Sequence, residues 1–114
     1  MSSTEQQASG IERTALQQHD LSIPGREVVQ NRVDISPEAP ASEHTHPVEE
    51  IIYVLEGRLE YRLEGEPPTT LEADEVFFVP AETVHAVINV GTTNATELAT
   101  YVVEKGKPLV VMVE

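Results

Sequence analysis

Alternation of apolar and polar residues at a period of two runs through most of this chain, and no stretch carries the apolar spacing of an amphipathic helix. Leu59, Tyr61 and Leu63 alternate with Glu60, Arg62 and Glu64, the pattern of a strand with one buried and one wet face. On either side lie segments rich in β-branched and aromatic residues: 26–35, 50–56 (EIIYVLE), 69–71, 75–79 (EVFFV), 84–90, 97–104 (ELATYVVE) and 109–113. Turn formers separate them, among them Pro37 and Pro40, Gly57, Gly65 with Pro67 and Pro68, Pro80, and Gly106 with Pro108. About eight to ten short strands at this spacing predict an all-β fold, a small closed barrel or a two-sheet jelly roll. Gly57-Arg58 reads as a tight hairpin. Segments 26–35 and 109–113 are the expected barrel edges, whose unpaired backbone a homodimer would cover.

At 114 residues the chain holds one core. Residues 1–10 are too polar to offset the entropy of ordering and are read as a flexible leader, with 11–114 as a single domain. Acidic residues number 20 against 7 Lys and Arg, for a formal charge of −13, a field that repels phosphate backbones and anionic bilayers. Nucleic acid and membrane are therefore excluded as expected partners, and no apolar run approaches the roughly 18 residues of a membrane span. The polar start lacks the features of a secretory signal, so a cytoplasmic location is expected. With no cysteine, thiolate metal sites and cysteine nucleophiles are ruled out.

Three of the four histidines and one glutamate form a candidate metal site: His44, His46, Glu50 and His85. In an extended segment His44 and His46 share a face, and Glu50 has the same parity. Neutral imidazoles with a carboxylate suit a first-row divalent ion and leave coordination positions open. Inward-pointing ligands would set the ion in the barrel mouth, where small molecules bind. Glu49 has the wrong parity and is expected in solvent, as is His19, which precedes the strand region. Tyr53, Tyr61 and Tyr101 are expected as wall residues with their hydroxyls at the rim. Of Phe77 and Phe78, one should line the cavity and the other face outward.

The order His44-x-His46-x3-Glu50-x6-Gly57 is similar to the first cupin motif, and Pro80-x4-His85-x3-Asn89 to the second. The resemblance covers residues 26–113 and implies a double-stranded β-helix of jelly-roll type. It also implies one divalent transition metal, Fe, Mn, Ni, Co, Cu or Zn, held by His44, His46, Glu50 and His85. The tail from Glu97 to Leu109 is similar to small bacterial single-domain cupins described as quercetin-dioxygenase-like. The activity so implied is a metal-dependent oxidoreductase of dioxygenase type on a small organic substrate, with Glu50 doubling as a base. Isomerase or lyase chemistry, or a non-catalytic binding module, are the alternatives, and a homodimer is implied. The chain departs from the family at Glu38, at Asp74 (or Ala73, one place earlier) and at Glu82, where glycine is usual. Asn89 is expected to make a structural hydrogen bond.

Overall fold

The computed structural model describes residues 10–113, so all but Gly10 of the expected leader lies outside the described residues. Among the described residues ten strands form: β1 (Ile11–Asp20), β2 (Arg26–Ile35), β3 (His44–Thr45), β4 (Glu49–Glu56), β5 (Arg58–Leu63), β6 (Thr69–Glu72), β7 (Val76–Val79), β8 (His85–Asn89), β9 (Ala95–Glu104) and β10 (Val111–Met112). They build two five-stranded antiparallel sheets, ordered β1-β2-β9-β4-β7 and β10-β3-β8-β5-β6. Because the chain keeps changing sheet, the two layers are wound together as a jelly roll, a double-stranded β-helix. Among the described residues no helix is long and apolar enough to cross a membrane.

Alternation decides what enters the core. In β4, Glu50, Ile52 and Val54 are buried while Glu49, Ile51, Tyr53 and Leu55 are exposed. In β9 the inward set is Ala95, Glu97, Ala99, Tyr101 and Val103, and in β5 it is Leu59, Tyr61 and Leu63. Each large apolar side chain so buried contributes about 1.5–3 kcal/mol. Two of the inward positions carry glutamate, and both prove to line a cavity. Asn89 makes the expected structural bonds: its amide donates to the carbonyls of Ile35 (2.9 Å) and Thr93 (2.8 Å), and its Oδ1 accepts from the Gly91 amide.

Several expectations are corrected. The strand region begins at Ile11, not Arg26: β1 pairs along β2, so β2 is an interior strand and β1 the edge, with β10 at the edge of the other sheet. β1 escapes a hydropathy pattern because it is exposed along most of its length, held by backbone pairing and by contacts such as Gln17 to Gln30 (2.9 Å). Gly57-Arg58 is not a hairpin. β4 and β5 lie in different sheets, and Gly57, at φ +85°, turns the chain from one to the other directly against Ala95. Of the three departures from glycine, Asp74 and Glu82 still adopt the left-handed conformation, at φ 73° and 61°, whereas Glu38 does not. Such a conformation costs a residue with a side chain about 1–2 kcal/mol. Backbone hydrogen bonds hold both turns, from Asp74 to the Val54 carbonyl (2.8 Å) and from Glu82 to the His46 carbonyl (2.7 Å).

Candidate metal centre

Both sheets contribute to the site. His44 in β3 pairs directly with His85 in β8, and His46 follows β3 just before the chain crosses to the other sheet. Glu50 then projects inward from β4. Parity along one extended strand does not account for this placement: the segment does not stay extended, and Glu50 faces the histidines from the opposite layer. The ligand-capable atoms of His44, His46 and His85 lie within 4.8 Å of one another. Glu50 adjoins this group on one side, its Oε1 3.1 Å from His46 Nε2 and 3.5 Å from His85 Nε2. All four side chains are buried.

Each imidazole has its Nδ1 against a backbone carbonyl: His44 to Ser42 (3.0 Å), His46 to Leu109 (2.7 Å) and His85 to Thr83 (2.8 Å). A carbonyl oxygen only accepts, so in the neutral ring Nδ1 carries the hydrogen and Nε2 presents a lone pair. This is the way metal-ligating histidines are oriented. His46 Nε2 and Glu50 Oε1 are both buried without a hydrogen-bond partner, despite their 3.1 Å separation. Two lone-pair atoms facing each other in a dry site is costly unless a cation or proton lies between them. An ion with bonds of about 2.1 Å holds neighbouring ligand atoms about 3.0–3.4 Å apart, close to the 3.1 and 3.5 Å from Glu50 to His46 and His85, while the three histidines lie within a wider 4.8 Å. The donor set fits a divalent transition metal.

Electrostatics favours the ligand forms of His44 and Glu50 and, at His85, the protonated ring. Burial, reinforced by the neighbouring His85, pushes the His44 pKa down to about 4, so that ring is neutral at pH 7. Burial alone would raise the Glu50 pKa, but its contacts with His46 and His85 outweigh it and hold the carboxyl well below the usual range. For His85, burial lowers the pKa while Glu50 and the Thr83 carbonyl raise it further, and the net shift is upward.

Behind this group opens a cavity of about 600 Å³ including its mouth, lined in part by Arg13, Ile52, Tyr61, Glu97 and Tyr101. The hydroxyls of Tyr61 and Tyr101 lie inside, not at the rim: Tyr61 donates to Glu97, and Tyr101 accepts from Arg13 Nη1 at 3.4 Å. Burial, added to by nearby carboxylates, raises both phenol pKa values far above the ordinary one. Tyr53 instead sits outside and donates to Asp74 (2.8 Å). Phe77 turns inward against Tyr61, with ring centroids 5.0 Å apart, and Phe78 is exposed. Glu49 and His19 are exposed.

Arg13 and Glu97 were not among the residues singled out from the sequence. Arg13 belongs to the strand that hydropathy misses. Glu97 was legible, since it shares parity with Ala99, Tyr101 and Val103 in an otherwise apolar inward row. Burial, then the charge of Glu50, raises its pKa to about 7, against the opposing effects of Tyr61 and Arg13. An acid whose pKa is raised by folding stabilises the fold fully below its ordinary value of 4.5, and that contribution is lost as pH rises to about 7. The Glu97→Gln protein, metal-free, is therefore expected to gain stability relative to wild type as pH rises from 4.5 through 7. Thermal melts across that range check this, and parallel curves would refute it.

Residues 31–104 match the cupin domain family. A protein of Streptomyces cyaneus named polyketide synthase CurC is 47% identical over 55 residues, covering 47% of this chain and 35% of its own length. An oxalate oxidase bound to the substrate analogue glycolate superposes with a TM-score of 0.72 at 27% identity, over 99% of this chain and 63% of that one. The DMSP lyase DddQ of Ruegeria pomeroyi DSS-3 does so with a TM-score of 0.65 at 25% identity, over 71% of this chain and 41% of that one. The chain thus spans about a third of the curated relative and less than two thirds of these two structures. With its family match, its two wound sheets and its histidines at the motif positions, the chain belongs to the cupin family.

Proposed function

We propose that His44, His46, Glu50 and His85 hold one divalent transition-metal ion, and that the protein is an enzyme acting on a small oxygenated organic molecule in the adjoining cavity. The observation that carries this reading is the convergence of buried lone-pair atoms, including the partnerless His46 Nε2 and Glu50 Oε1, at a solvent-connected pocket. When bound, the ion would supply Lewis-acid or redox chemistry. The chain's own residues orient the rings through Ser42, Thr83 and Leu109, keep bulk water from the ligands and present two tyrosine hydroxyls to the bound molecule. Oxidoreductase chemistry is the first assignment, supported by the likeness to an oxalate oxidase, with the dioxygenase type as its proposed form. Isomerase, lyase or cyclase chemistry without oxygen is the second, favoured by the acid–base groups Glu97 and Tyr61 deeper in the cavity. Glu50, expected as a base, is the weaker candidate for that role because its oxygen faces two imidazoles.

An oxygen electrode and product analysis, run on protein loaded with Fe, Mn, Co, Ni, Cu or Zn against flavonols, diketones and small carboxylates, test this. Metal-dependent oxygen uptake is the expected result, and product without uptake would select the second assignment. Ligand binding with no turnover under any metal would contradict both and leave a binding module.

A homodimer is proposed as well, on different strands from those the sequence suggested. On the outer face, Ile51 lies opposite Phe78 and Tyr53 opposite Val76, all exposed, and β7 is an edge strand. An apolar patch beside an open edge is the usual mark of a subunit contact. Sedimentation at micromolar concentration is expected to give twice the chain mass, and a monomer would refute it.

A further inference from the structure

Glu97 does not belong to the histidine group. It is 4% exposed, accepts the Tyr61 hydroxyl, and lines the cavity. A buried carboxyl is expensive to keep, and a purely structural role at this position would be met by an apolar residue like those facing it. Its inward neighbours along β9 are the small, fully buried residues Ala95 and Ala99. Strand register then adds a cation: Arg13, Val33, Glu97 and Val54 form one row across β1, β2, β9 and β4. Among the lining residues Arg13 is the sole Arg or Lys, in a chain of charge −13. The row containing Tyr101 and Glu50 lies two inward positions further along β9, and Arg13 reaches toward it through the Tyr101 hydroxyl. A ligand in this cavity therefore meets a carboxyl, a guanidinium and the histidine group at once.

We propose that Glu97, steadied by Tyr61, is the proton acceptor of this cavity, and that its substrate is a small enolisable carbonyl compound carrying an anionic group. The inference rests on reading the cavity as a reaction chamber. A C–H bond next to the carbonyl breaks, its electron pair moves onto the carbonyl oxygen as an enolate, and the proton passes to the Glu97 carboxylate. Return of the proton to the same carbon gives exchange. Where that carbon bears a hydroxyl, the hydroxyl proton moves to the enolate oxygen and Glu97 returns its proton to the former carbonyl carbon, giving an isomer. Where the next carbon bears a leaving group, the enolate pair re-forms the carbonyl, a C=C bond forms as the bond to that group breaks, and the group departs with the proton from Glu97, giving a lyase product. No oxidant is consumed. Arg13 holds the anionic group, and Tyr61 donates to Glu97 throughout.

Exchange of the C3 hydrogens of 2-oxobutyrate in D2O, followed by proton NMR with zinc-loaded protein, tests the assignment. Wild type is expected to accelerate exchange over buffer, and Glu97→Gln to reduce that acceleration about 100-fold or more, with zinc content unchanged. Glu97→Asp should recover part of the rate, which also guards against a Gln variant that does not fold. Tyr61→Phe should move the pH profile of exchange. Equal exchange by wild type and Glu97→Gln, or no acceleration by zinc-containing wild type, would overturn the proposal. Exchange of the neutral amide of 2-oxobutyrate as fast as the acid would overturn the anionic requirement. Metal content separates the two readings: protein that takes up none of Fe, Mn, Co, Ni, Cu or Zn refutes the metal-enzyme assignment, while Glu97-dependent exchange in it would still uphold Glu97 as the base.

Discussion

Replacing His46 by Ala is expected to remove stoichiometric divalent-metal binding and, with it, metal-dependent turnover. The ring is 2% exposed, its Nδ1 is fixed by the Leu109 carbonyl, and its Nε2 faces Glu50 and no hydrogen-bond partner. Groups that merely orient a ligand are worth roughly 10–100-fold in metal affinity, so loss of the ligand should exceed that. The readout does not depend on knowing the substrate. An ion at a thousand times its Kd stabilises the folded state by about 4 kcal/mol, and each kcal/mol shifts the Tm of a domain this size by about 4–8 °C. Wild type should show that rise on adding metal and His46→Ala should show almost none, while Glu49→Gln, altering the exposed neighbour of Glu50, should behave as wild type. A His46→Ala protein stabilised by metal as strongly as wild type would remove His46 from the site.

Gly57→Ala is expected to be the most damaging single-methyl change in the chain, costing about 3 kcal/mol or more. Two penalties combine. At φ +85° a β-carbon costs about 1–2 kcal/mol by itself. It would also lie 2.6 Å from Ala95 Cβ, 2.7 Å from Ala95 Cα and 3.0 Å from the Asn94 carbonyl oxygen, and forcing atoms into packed space typically adds about 1–3 kcal/mol. Ala95 begins β9, so relief would require moving the strand that carries Glu97 and Tyr101. Gly65→Ala is the matched comparison, because φ is +84° there but nothing lies within 4 Å of the added carbon. It should cost only the conformational term, about 1–2 kcal/mol. Thermal or urea unfolding of the two variants checks the difference, and equal costs would mean that Gly57 is not packed against β9.

What could be read in advance depended on how directly side-chain pattern reports burial. Strands with one buried face, such as β4, β5 and β9, announce themselves through alternation, and the four residues proposed to hold a metal stand out because His and Glu are rare on inward faces. β1 is held by backbone pairing with β2 and is exposed over most of its length, so its residues carry little pattern. The role of Gly57 was misread because a glycine between two strands looks the same whether the strands pair or part. Only the position of Ala95, a segment distant in sequence, distinguishes a hairpin from a crossing between sheets. Glu50 shows the complementary case: it lies beside the histidines, but from the facing sheet and not along one extended strand. Glu97 had the correct parity all along, but a lone acidic residue in an apolar strand gains significance only when Tyr61 and Arg13 are placed beside it. At Asp74 and Glu82 the family's glycine geometry persists without glycine, because hydrogen bonds to Val54 and His46 hold the turns.

His44, His46 and His85 are proposed to bind one ion through their Nε2 atoms beside Glu50. Titration of the metal-free protein with zinc, followed through the ring nitrogens of the four histidines by NMR, tests it most directly. Saturation at a single ion per chain is expected, with the Nε2 signals of His44, His46 and His85 shifting together, their Nδ1 atoms staying protonated and His19 unchanged. Saturable binding that leaves those three rings unmoved, or no binding at all, would contradict it.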